Sequence, residues 1–252
     1  MAGVRPDPLA PLVGLPGVED AVRRAREAVV ALHRHPVNRT GWAASAAEAA
    51  LRAARASAAL DGAELARADG VVSDPVLAGA VRVAEATGRL LGTWRTAPLQ
   101  ALARLHVLAA ADLGGSDADA DAGSGAAPGR PVRGTERLAL LAELVTGGTA
   151  VPAPVLVAVV HGELLALEPF PSANGVVGRA AARLAAISSG LDPRGLAVPE
   201  VGHLRAGAAY RDAARGFATG TPEGLAAWIR HCCDQWVAGA REGRSIADAR
   251  AK

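Results

Sequence analysis

Glu168-Pro169-Phe170-Pro171-Ser172-Ala173-Asn174-Gly175-Val176-Val177-Gly178-Arg179 is the stretch that decides the fold. Pro169 and Pro171 forbid a helix through the first half. Asn174 is a residue type that accepts hydrogen bonds from free amides at a helix start, so a helix is expected from Asn174, with Asn174 able to serve as its N-cap. Gly175 and Gly178 leave that start bare, so another group can come close to the backbone. A helix start with free N–H groups and the positive end of its dipole attracts anions. Arg179 and Arg183, four residues apart, fall on one helical face from which both could reach a phosphate.

Working outward, the 252 residues are half apolar, yet only 3% are aromatic. Alanine, leucine and valine must therefore build the core, which favours close-packed helices over sheet. The expected fold class is all-α, with at most a small β-hairpin. Helices are expected over Val18–His33, Trp42–Ala59, Asp74–Thr87, Pro98–Leu113, Glu136–Val145, Pro154–Leu167, Asn174–Ser189, Arg205–Ala218 and Pro222–Glu242, with an added turn over Ala63–Ala68. Residues 1–113 read as an N-terminal helical region and 114–128 as a linker of Gly, Ser, Asp and Ala with nothing to bury. Residues 129–252 read as a second region forming one compact unit with 18–113. Asp117, Asp119 and Asp121 alternate as in a calcium loop but lack its distal glutamate.

The charge excludes some functions. Net charge is +2, and Lys252 is the one lysine, so arginine carries nearly all the positive charge. Basic and acidic residues are interspersed, unlike the clustered basic face of a nucleic-acid binder. No apolar run approaches a membrane span, and the N-terminus has no signal-peptide pattern. The adjacent pair Cys232 and Cys233 forms no disulfide framework, which fits a reducing cytoplasm. The six histidines lack metal spacing, so no metal site is expected from them.

The opening stretch resembles the signature of the Fic (Fic/Doc) family, His-Pro-Phe-x-Asp/Glu-Gly-Asn-Gly-Arg-x-Gly-Arg. Pro169, Phe170, Asn174, Gly175, Gly178 and Arg179 match, six of the ten defined positions. Glu168 stands at the catalytic histidine, Ser172 at the Mg²⁺-binding carboxylate, Ala173 at the first glycine and Val176 at the first arginine. The resemblance extends outward. His161 sits seven residues before Glu168, where members often carry a histidine. Gly129 to Arg133 is similar to the flap segment that holds a target peptide by strand addition. Trp228, Trp236 and Gly243-Arg244-Ser245-Ile246 look like the closing helices. Ser57-Ala58-Ala59-Leu60-Asp61-Gly62 resembles the inhibitory motif Ser/Thr-x-x-x-Glu-Gly/Asn, whose acid pairs with the second motif arginine; here that pair is Asp61 and Arg179.

What the resemblance implies is a mostly helical fold that transfers AMP from ATP to a protein hydroxyl. The substitutions fall on the residues that do the chemistry. A carboxylate at 168 is a poorer general base than imidazole and repels phosphate, and loss of a good base costs roughly 10²–10⁴ in rate. Ser172 does not replace an anionic Mg²⁺ ligand. Val176 removes a clamp worth about 1.5–3 kcal/mol per charged hydrogen bond. Three readings follow. The first is a degenerate Fic-fold protein that binds ATP or another phosphate ligand through Asn174, Gly175, Gly178 and Arg179 but has lost or altered AMP transfer. The second is an active transferase of altered chemistry with Glu168 as base. The third is a protein-interaction module with a vestigial cleft. The flap residues Gly129 and Arg133 mark where a protein partner would dock. His161 is expected to brace the motif loop, Phe170 to join the core, and Cys232 and Cys233 to be buried and inert.

Overall fold

The computed structural model describes residues 6–65, 74–113 and 127–251. Among these, every regular element is a helix, and no strand forms. The 114–128 linker, except its last two residues, lies outside the described residues, as do Asp117, Asp119, Asp121 and the expected turn beyond Leu65.

The short α1 (Ala10–Val13) leads into α2 (Val18–His33), a single turn α3 (Pro36–Thr40) and α4 (Trp42–Leu60). On α2, Val18, Ala21, Val22, Ala25, Val29 and Leu32 are buried at alternating spacings of three and four. That stripe faces one side of a helix and drives its packing. α5 (Pro75–Thr96) starts at Asp74, whose side chain accepts a hydrogen bond from Leu77 N at 3.0 Å. The end expected at Thr87 is passed, and the helix continues through Gly88 and Gly92. It runs on because Leu90 and Trp94 extend the buried stripe, and that burial outweighs two exposed glycines.

α6 (Pro98–Ala109) turns back along α5, and α7 (Thr135–Glu143) passes into a π turn over Leu144–Gly148. α8 (Ala153–Leu167) and α9 (Asn174–Ser188) form the central antiparallel pair joined by the motif loop. Val176 to Ala186 of α9 are all buried, enclosed by α8 and by α5. Beyond them lie α10 (Pro199–Ala206), α11 (Ala208–Ala218) and α12 (Pro222–Arg250). The expected helix over Arg205–Ala218 is two helices, broken at Gly207, whose φ is +55°. α12 continues past Glu242 because Ile246 and Ala247 remain buried.

The core has the composition expected: alanine, leucine and valine predominate, with Trp94, Trp228 and Phe170 fully buried. Close approach between helices follows from the small residues. At Gly79 an added Cβ would lie 2.9 Å from the Ala109 carbonyl carbon, so α5 and α6 touch backbone to backbone. Two buried ionic groups fasten the connections around α9. Arg183 meets Glu200 through both carboxylate oxygens, at 3.2 and 2.8 Å, and donates to Ala197 O at 3.1 Å. Asp192 accepts from Leu196 N and Ala197 N and lies 2.7 Å from His33 Nε2. No helix among the described residues is long and apolar enough to cross a membrane.

Candidate functional site

The motif loop is braced at both ends by non-glycine residues in the left-handed region. Glu168 closes α8 with φ +43°, and Ala173 precedes α9 with φ +55°. These are the only non-glycine residues with positive φ among the described residues. A Cβ in this region costs about 1–2 kcal/mol. The loop therefore keeps a shape that glycine would adopt freely, although alanine occupies the position. Ala173→Gly is expected to raise the unfolding free energy by about 0.5–1 kcal/mol, less than the full strain because glycine also loosens the unfolded chain. Urea titration of the two proteins measures it, and an unchanged or lowered stability would mean that Ala173 is unstrained.

Asn174 acts differently from a helix cap. Its Oδ1 accepts from Phe170 N at 2.9 Å and its Nδ2 donates to Phe170 O at 2.7 Å. Both ends of the amide thus tie the loop to itself, and Ala173 takes the capping position without a side-chain bond. Phe170 is core, as expected, and stacks on His106 with ring centroids 4.4 Å apart. His106 Nδ1 in turn accepts from Gly129 N at 3.0 Å. Val132 N donates to Pro169 O at 2.8 Å. The 129–133 segment is irregular, not a hairpin, and lies along the motif loop through that backbone bond.

Arg179 is the centre of the site. Its side chain is 3% exposed, and four of its five N–H groups have partners. Nε donates to Ser57 Oγ at 2.8 Å, and Nη2 donates to Ser57 O at 2.9 Å and to Asp61 Oδ1 at 2.7 Å. Nη1 is 3.4 Å from the Tyr210 hydroxyl. Burial opposes the charge, Tyr210 and Asp61 favour it, and the net direction of the guanidinium pKa is upward. The last turn of α4 places Ser57 and Asp61 for this. Gly62, at φ +89°, ends the helix in the left-handed conformation, and Ala63 N returns to Ala58 O.

The Asp61 carboxylate also lies against Gly175 at the start of α9. A Cβ added at Gly175 would lie 2.8 Å from Asp61 Cγ. Gly175 is thus the residue that lets an anion enter, and the anion present belongs to α4. Gly178 has another role. Its missing Cβ would touch Leu164, Leu165 and His161 at 3.5–3.8 Å, so it lets α8 and α9 pack. Arg183 does not join Arg179 at the cleft, because Glu200 and two backbone carbonyls already engage it. Outside the Asp61–Arg179 pair lies a cavity of about 330 Å³ bordered by Glu168, Asn174, Tyr210, Arg211 and Arg215. Glu168 is exposed at its edge.

His161 braces Tyr210, not the motif loop: its Nε2 is 2.9 Å from the Tyr210 hydroxyl. His203 and Trp228 pack edge-on against it at 5.1 Å, and His203 Nδ1 is 3.1 Å from His231 Nε2. Burial, then the Arg179 charge, holds His161 well below the ordinary histidine range; burial, then His161, does the same for His203. Both are therefore neutral in the fold at pH 7 and take up protons on unfolding below pH ~6.5. The folded state binds fewer protons, so stability is expected to fall as pH drops below about 6.5, by roughly 1.4 kcal/mol per pH unit per histidine. Urea titrations at pH 7.5, 6 and 5 measure this, and a flat profile would mean that the cluster carries protons in the fold. Burial pushes Cys232 well up and Cys233 to about 12, so both are inert thiols.

The metal implied by the resemblance does not fit these residues. Ser172 offers a neutral hydroxyl, and among the described residues no group of three or more His, Cys, Asp or Glu side chains could hold a metal ion. Tyr210, the single tyrosine in the chain, and Arg211 and Arg215 escaped the sequence reading. Only their place on α11, brought over the cleft by the break at Gly207, makes them part of the site.

No protein-family model matches the chain, and no curated protein matches it in sequence. Its structure does match that of a Fic family protein from Desulfovibrio desulfuricans G20, with a TM-score of 0.66 and 17% identity. The match covers 91% of this chain and 74% of that one. At that identity the likeness speaks for fold, and the chain has the helical fold of a Fic family protein.

Proposed function

We propose that this Fic-fold chain binds a phosphate-bearing ligand, a nucleotide such as ATP or ADP, at the start of α9 and does not carry out ordinary AMP transfer. Asp61 holds the site shut. One observation carries this reading: a carboxylate lies against Gly175 and on the buried Arg179, where a phosphate would make the same contacts. A site that accepts one anion on a guanidinium, in the room left by a glycine at a helix start, has the chemistry to accept another. The lost transfer follows from Glu168, Ser172 and Val176 at the positions of base, metal ligand and first clamp.

The full chain and an Asp61→Ala variant are titrated calorimetrically with ATP, ADP and AMP. Removing the competing carboxylate is expected to tighten binding at least tenfold, about 1.4 kcal/mol. Labelled ATP incubated with either protein and a cell lysate is expected to label nothing. Absence of heat with all three nucleotides in both proteins would overturn the ligand reading. It would favour an interaction module with a vestigial cleft, a second reading supported by the same Asp61–Arg179 lock. That module would also show an unchanged melting temperature in nucleotide, since a ligand of the native state must stabilise it.

A further inference from the structure

α11 brings two arginines to the cleft that the motif does not contain. Its first turn is anchored by Tyr210, whose hydroxyl meets both His161 and Arg179. Arg211 follows directly, and Arg215 stands one turn on, so the two share a flank of the helix. Both border the cavity of about 330 Å³ that opens over Gly175 and Arg179. Two like charges at this spacing repel by a few tenths of a kcal/mol unless an anion lies between them. Arg215 pairs with Asp212 of its own helix, and both side chains are more than 60% exposed. Such a surface pair is readily exchanged for another anion. The acids at the cleft are Asp61, already on Arg179, and Glu168 at the rim.

We propose that Arg211 and Arg215, together with Arg179, balance the ligand's phosphate charge in place of a divalent cation, so that the ligand is bound unchelated. This rests on the reading of the cleft as a phosphate-ligand site and specifies its ligand: a polyphosphate or phosphate monoester free of metal. The placement of the charges supports it. Mg²⁺ is usually held by one or two carboxylates besides phosphate. Here Asp61 is already engaged by Arg179 and Glu168 stands at the exposed rim, whereas guanidinium groups bind phosphate directly and bidentately. Magnesium on the ligand would remove part of the negative charge that these arginines meet.

The full-length Asp61→Ala protein is titrated with ADP and with inorganic pyrophosphate, once in EDTA and once in excess Mg²⁺. The expected dissociation constant in EDTA is equal to or smaller than that in Mg²⁺, and the double substitution Arg211→Glu, Arg215→Glu weakens binding at least tenfold in EDTA. Both arginines are exposed, so circular dichroism is expected to show an unchanged fold. Binding that is tenfold weaker in EDTA overturns this proposal and leaves the phosphate-site reading standing. Binding that survives the double charge reversal does the same. No binding of either probe under any condition overturns both.

Discussion

Glu200→Ala is expected to lower the unfolding free energy by about 3–5 kcal/mol and the melting temperature by roughly 10 °C. Arg183 and Glu200 are 9% and 6% exposed, and the pair is bidentate. Removing the carboxylate leaves a guanidinium in the interior with only the carbonyls of Gly195 and Ala197 as partners. A charge stripped of its counter-ion in low dielectric costs far more than the pair itself contributes. The double substitution Arg183→Met, Glu200→Leu, similar in volume and apolar, is therefore expected to regain most of the loss. Thermal melts of the three variants decide it. A single-variant loss below about 1 kcal/mol would place Arg183 in contact with water, contrary to its burial.

The second large effect is a change of sign. Gly175→Ala is expected to destabilise the protein by about 1–3 kcal/mol, because the new methyl group and the Asp61 carboxylate cannot share the helix start. The carboxylate must swing away and abandon Arg179. In an Asp61→Ala background the space is open, and the same Gly175→Ala change is expected to stabilise by about 0.5–1 kcal/mol, the usual gain of alanine over glycine in a helix. The coupling between the two sites, read from a double-mutant cycle of urea denaturations, is then on the order of 1.5–4 kcal/mol. Additive effects would place Asp61 away from Gly175 and end the view that α4 occupies the cleft. This cycle needs no ligand, so it tests the closed arrangement independently of what the site binds.

Residue chemistry and spacing already determined much of this molecule. The scarcity of aromatics and abundance of alanine required helices, and the stripe of Val18, Ala21, Val22, Ala25 and Val29 defined α2, because burial of one face is a property of periodicity alone. Pro169, Pro171 and the glycines after them marked a loop running into a helix, since proline and glycine act through their own backbones. The spacing of Ser57 and Asp61 against Arg179 came from resemblance, and the two segments meet over 118 residues of separation between Asp61 and Arg179.

Tertiary structure decided the rest, for reasons of packing and partner choice. Arg179 and Arg183 lie four apart, but one meets Asp61 and the other Glu200, so only the first serves the cleft. Asn174 ties Phe170 instead of capping α9, because an amide with two loop partners in reach uses both its ends there. Gly175 and Gly178 look alike in the chain, yet one admits a carboxylate and the other admits a neighbouring helix. Arg211 and Arg215 carry no local signature, and a single glycine break at 207 swings them over the cavity. Periodicity and backbone chemistry are local and survive in one dimension, whereas the partner of a buried charge depends on which helices lie against it.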